Sequence, residues 1–112
     1  MRKLCLLSLL LCAALWAQLN TGTLVGVVVD SSGASVLGAE IVLTSELTGD
    51  TRKTLSVENG NFTLPGIPAG TYTLKISMQG FQTVERKGLV VASNEYLPAG
   101  TITLQLEKIG PS

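Results

Sequence analysis

Residues Glu58 to Ile76 read ENGNFTLPGIPAGTYTLKI. Two short alternating runs stand on either side of a segment where Pro65, Gly66, Pro68 and Gly70 crowd together. In the second run, extended to Met78, Tyr72, Leu74, Ile76 and Met78 alternate with Thr71, Thr73, Lys75 and Ser77. A period of two is the signature of a strand with one face buried. Before it, Asn59-Gly60 tolerates the positive φ angles of a tight reversal, and Phe62 and Leu64 share one face of a short strand. Between the runs, Pro65 and Pro68 have no N–H for a ladder, so PGIPAG predicts a crossing loop with Ile67 as its apolar plug.

The pattern extends in both directions. Upstream, TLVGVVVD (Thr23 to Asp30) is rich in β-branched residues and ends in the turn cluster SSGAS. In AEIVLTSE, Ala39, Ile41 and Leu43 share one face, with Glu40 and Thr44 on the other. TGD (Thr48 to Asp50) then reverses the chain into TRKTLSV. Downstream, Gly80-Phe81 opens a weaker region to Val91, in which ERKG predicts an exposed bend and ASNEYLPAG a loop. TITLQLE forms a last strand with Ile102, Leu104 and Leu106 on one face. The expected fold is all-β, a single six- to seven-stranded antiparallel Greek-key β-sandwich, with a signal-peptide helix ahead of it.

That leading segment has three parts. Met1-Arg2-Lys3 is a basic start, Leu4 to Trp16 an apolar run, and Ala17 a small residue before polar Gln18. This is the layout of a secretory signal, and the run is shorter than the roughly 20 residues that span a bilayer. Cleavage after Ala17 is expected. The division is then 1–17 signal peptide, 18–21 short N-terminal segment, 22–108 β-sandwich and 109–112 tail. Membrane contact is confined to the signal before it is removed, and the product is exported to the periplasm, the outer membrane or the medium.

Composition narrows the chemistry. Cys5 and Cys12 both lie in the signal segment, so the processed chain has no thiol and depends on packing rather than disulfides. Histidine is absent. A Ser-His-Asp triad, a Cys-His pair and a His-ligated zinc are therefore unavailable, and no enzymatic activity or cofactor is expected. Asp30, Asp50 and Glu58 fall near turns, but without the ligand spacing of a calcium loop, so no metal is expected either. The 8 basic and 8 acidic residues of the whole chain balance, and the basic ones form no stripe, which excludes nucleic acid as a partner.

At this point SVENGNFTLPGIPAGTYTLKISMQGF (Ser56 to Phe81) resembles a known family, the carboxypeptidase regulatory-like domain, a transthyretin-like sandwich of the carbohydrate-binding-like fold group. Gly60, Phe62, Leu64, Gly70, Tyr72, Gly80 and Phe81 fall on the family's structural motif, as do Ile67, Leu74 and Ile76. The opening GTLVGVVVDSSGASVLGAEIVLT resembles the family's first two strands, and the likeness covers Gly22 to Leu106. The family's usual T-D before the turn is Ser56-Val57 here, which removes an aspartate that would brace it.

The resemblance implies a non-catalytic accessory or interaction module, similar to the N-terminal extension of TonB-dependent outer-membrane receptors. Its partner would be a protein of the cell envelope, an outer-membrane receptor among them. A carbohydrate-binding module is the alternative. For that reading Tyr96 is the exposed platform, with Asn94 and Glu95 beside it, while Tyr72 is expected in the core with its hydroxyl bonded to backbone.

Overall fold

A computed structural model describes residues 20–107, and the expected signal segment and tail lie outside them. Every regular element among the described residues is a strand. In chain order these are β1 (Thr21–Asp30), β2 (Glu40–Ser45), β3 (Thr51–Leu55), β4 (Asn61–Pro68), β5 (Gly70–Ser77), β6 (Val84–Val91) and β7 (Tyr96–Leu104). They form two sheets, a three-stranded one in the order β4-β1-β7 and a four-stranded one in the order β3-β2-β5-β6.

Alternation decides what lies between the sheets. Leu24 and Val28 of β1 are buried, and so are Ile41 and Leu43 of β2, Leu74 and Ile76 of β5, and Ile102 and Leu104 of β7. Phe62 packs across Gly26, its register partner on β1. A Cβ on Gly26 would sit 2.5 Å from the Phe62 ring, so the absence of a side chain there makes room for the aromatic. Leu106, expected on the inner face, is instead mostly exposed beyond the end of β7.

Four further features depart from the sequence reading. β1 and β7 run parallel, whereas the other four strand pairs are antiparallel as expected. These two strands are the first and last of the domain, so no tight turn has to join them. PGIPAG is not a crossing loop. β4 continues through it to Pro68, with the β1 register shifting between Gly22 and Leu24. β4 is an edge strand, and two residues set against one at a bulge accommodate Pro65 and Gly66. The expected ERKG bend lies within β6, where Gly88 (φ 70°) accompanies a register shift opposite Tyr72 and Leu74. YLPAG belongs to β7, with Gly100 (φ 79°) at a third shift.

Ser56 is the buried polar side chain of this core, 2% exposed. Its Oγ donates to the Val36 carbonyl at 2.6 Å and accepts from the Ala39 N–H at 2.9 Å. Its backbone N–H donates to Ala39 O (3.0 Å) and its carbonyl accepts from Gly38 N–H (2.9 Å). One residue thus clamps the β1–β2 connection to the end of β3. Ser56→Ala leaves the Ala39 N–H and Val36 carbonyl short of a buried partner, a loss of about 2 kcal/mol. Urea denaturation checks this, and a change within error would show that the clamp is held by backbone bonds alone.

Candidate binding surfaces

The residues expected to bind or to build the core separate clearly in space. Tyr72 is 5% exposed and its hydroxyl donates to the Pro68 carbonyl at 2.6 Å, which ties β5 to the end of β4. Tyr96 is 77% exposed at the start of β7. Asn94 and Glu95 precede it in an exposed turn that is held by backbone: the Asn94 N–H donates to Thr21 O (2.7 Å) and Glu95 O accepts from Thr23 N–H (2.9 Å). Asn94 has φ 58°, a left-handed conformation that asparagine tolerates. The turn therefore exposes an amide, a carboxylate and an aromatic ring at consecutive positions.

The motif residues serve the fold in different ways. Phe62 and Leu64 are buried, and Phe81 is half-buried in a bridge with Leu106. Gly60 (φ 78°) and Gly80 (φ 89°) occupy left-handed turns. Gly70 does not, and a Cβ there would make ordinary contact with the Tyr72 ring, so its position has no steric need for glycine.

The turn carboxylates do not converge. Among the described residues no three His, Cys, Asp or Glu side chains gather as they would around a metal. Asp30 is committed to its own turn: Oδ1 accepts from the Ser32 hydroxyl (2.6 Å), Ser32 N–H (2.9 Å) and Ala34 N–H (3.0 Å). The Ser32 hydroxyl first, then the Ala34 N–H, hold its carboxyl below the ordinary 3.8. A lowered folded-state value means that the turn's contribution is present above that ordinary range and is lost as pH falls through the lowered value. An NMR titration should place the Asp30 midpoint below 3.8, with Ser32→Ala raising it. A midpoint at or above the ordinary value would contradict the geometry.

Sheet edges are the remaining surfaces, and sequence reasoning did not rank them. Three of the four edge strands are interrupted: β4, β6 and β7 each carry a register shift. The β7 edge is also covered, since Arg86 donates to Ala99 O (3.0 Å) and Gln82 N–H to Gln105 O (2.7 Å). β3 pairs with β2 without a shift. Ser45 N–H bonds Asp50 O (2.8 Å) and Ser56 N–H bonds Ala39 O, which fixes the bonded pairs at both ends of this ladder. Alternation then turns the N–H and C=O groups of Thr51, Lys53 and Leu55 away from β2. Leu55 (59% exposed) and Val57 (53%) lie along or just past this edge. The signal in the sequence was the unbroken TRKTL, beside three strands broken by Pro or Gly. A cleft of about 590 Å³ beside it is lined by the Ser45–Thr48 turn, Arg52 and the Pro68–Tyr72 crossing.

These features define a small two-sheet β-sandwich module with one regular open edge among the described residues. The sequence model of the carboxypeptidase regulatory-like domain matches residues 23–107, and the chain belongs to that family. No curated protein matches it in sequence. Solved structures share the fold. The TIE protein of Bacillus anthracis superposes with a TM-score of 0.65 at 16% identity, covering 78% of this chain and 17% of that one. The minor pilin of Streptococcus agalactiae gives 0.62 at 15% identity, covering 83% and 48%. A chain of the type II cohesin–X-dockerin complex of Acetivibrio cellulolyticus gives 0.63 at 21% identity, covering 80% and 61%. The chain thus spans less than two thirds of each of these proteins.

Proposed function

We propose that this chain is an exported, non-catalytic interaction module of the cell envelope that takes a protein partner by strand addition along β3. The observation that carries the reading is the regular β3 edge beside three interrupted ones. Edge strands are normally blunted because a free ladder is a template for another strand. Arg52 and Lys53 discourage nonspecific pairing, while leaving the backbone groups of Thr51, Lys53 and Leu55 open. The pilin and the cohesin–X-dockerin chain supply fold precedent only. A place like that of the N-terminal extension of TonB-dependent receptors, in the periplasm or at the outer membrane, is part of this proposal. So is removal of residues 1–17, which an intact mass beginning at Gln18 would test.

The test of the edge is a photo-reactive residue at Leu55 in cells. Lys53→Pro removes one outward N–H without breaking a β2–β3 bond, and Lys53→Ala keeps it. The adduct should survive Lys53→Ala and fall at least roughly tenfold in Lys53→Pro, with thermal unfolding showing both variants folded. An adduct indifferent to Lys53→Pro would refute strand addition. A carbohydrate reading is favoured by one observation, the 77% exposure of Tyr96. It expects Tyr96→Ala to abolish binding to a glycan array, and retained binding would remove that site.

A further inference from the structure

The two outer faces of the sandwich differ in charge. On the four-stranded sheet, Lys53, Val42, Lys75 and Glu85 lie in one register row, with Glu40 nearby. On the three-stranded sheet, burial of Leu24 and Val28 turns the intervening Val25 and Val27 outward. Val25 is flanked in register by Thr63 and Pro98, and Val27 by Asn61 and Thr101. The rows beyond them pair Thr23 with Tyr96 and Val29 with Thr103. None of these outward positions carries a charge, in a chain with 14% charged residues.

This face also holds a knob and a hollow. Tyr96, 77% exposed, projects from the row of Thr23. A shallow depression of about 420 Å³ is centred on Val25, Gly26 and Val27, between β4 and β7. Three residues separate the two along β1, which is about 10 Å at the usual strand rise.

We propose that the outer face of the β4-β1-β7 sheet is the contact between two copies of this chain. A two-fold axis across β1 between Thr23 and Gly26 sets each copy's Tyr96 in the other's depression. Such an isologous contact sets the face against a second copy of itself, so a face of one charge sign would repel itself and this uncharged one does not. An aromatic anchor in a shallow apolar hollow is the kind of contact that dominates interface energy. Under this axis rows 21–28 of β1 overlap, about 26 Å, and three strands at about 4.8 Å spacing then offer roughly 400 Å² per copy, or about 800 Å² in total. That is below the standard size of stable interfaces and in the range of weak, transient ones, so the dimer is weak and depends on concentration. The proposal does not rest on the β3 reading, since the surfaces belong to different sheets.

Sedimentation of the purified protein from about 10 µM to about 1 mM should show a monomer–dimer equilibrium. Tyr96→Ala should weaken it by roughly tenfold or more, and Val27→Lys should leave a monomer throughout. Lys75→Glu, on the opposite face, and Lys53→Pro, at the other edge, should leave it unchanged. A spin label at Thr103 provides a check free of core changes, because it should broaden resonances only on the three-stranded outer face of the second copy. A monomer at the highest concentration would overturn the proposal. So would broadening on the charged face, or cellohexaose or chitohexaose binding to this face of a chain that stays monomeric.

Discussion

Gly60→Ala is expected to destabilise the protein by about 3–4 kcal/mol, among the largest losses a single methyl group can cause. Gly60 has φ 78°, and a left-handed conformation alone costs an L-residue roughly 1 kcal/mol. The larger part comes from what the methyl group would meet. A Cβ at Gly60 would be driven into the carbonyl oxygen of Val28. That oxygen cannot swing away: Val28 is fully buried in the central strand, its N–H donates to Gly60 O at 2.8 Å, and its carbonyl accepts from Val36 N–H at 3.0 Å. The turn is equally constrained, with Gly60 N–H donating to Val57 O (2.8 Å) and Val57 N–H to Asn61 O (2.9 Å). Gly33 is the control. It has φ 89° but nothing within 4 Å of its Cβ position, so Gly33→Ala should cost only the conformational roughly 1 kcal/mol. Urea denaturation of both variants separates the two causes. Equal losses would show that Val28 exerts no steric constraint and that φ accounts for the whole effect.

The contrast between these glycines marks how much a sequence discloses. ENGN announces a turn because glycine after asparagine tolerates unusual backbone angles, and a turn is what forms. Of that pair only Gly60 takes positive φ, so the reversal differs from a two-residue hairpin in which both would. It also joins strands in different sheets, since β3 and β4 are not neighbours in either one. Nothing local encodes the approach of Val28, about thirty positions away in the chain, because it arises from packing. Periodicity located the inward faces of β2 and β5, and that of β7 except at Leu106, because burying one face demands alternation.

The same limit governs the binding surfaces. Exposure of Tyr96 could be expected from its polar neighbours, and the burial of Tyr72 from its place in the strongest alternating run. Which edge lies open could not, because an edge is a property of strand order. ERKG, YLPAG and TLPGIP look alike as broken segments, and each proves to be a bulge in a strand at the margin of a sheet. In the sequence, proline and glycine mark the ends of strands. At an edge they instead permit a strand to continue while spoiling it as a template.

Ile67 is where that distinction has its largest energetic consequence, and Ile67→Ala is expected to cost about 3 kcal/mol, with Ile67→Val costing about 1. Were PGIPAG a surface loop, Ile67 would be a loosely held plug, and its truncation would cost little after the loop relaxed. In the bulged strand it has no such freedom. Ile67 is fully buried and in register with Gly22, whose own Cβ would strike the Ala92 carbonyl and Val91 Cγ1. The next residue, Pro68, pairs with Thr21 and accepts the Tyr72 hydroxyl. The backbone is thus fixed on both sides of the side chain, the cavity cannot collapse, and the loss falls in the middle of the range for buried isoleucine rather than at its floor. Chemical denaturation of the two variants decides between the pictures. A cost near 3 kcal/mol with an unchanged m-value fits the fixed strand, whereas a cost below about 1 kcal/mol for Ile67→Ala would mean that the segment yields as a loop does.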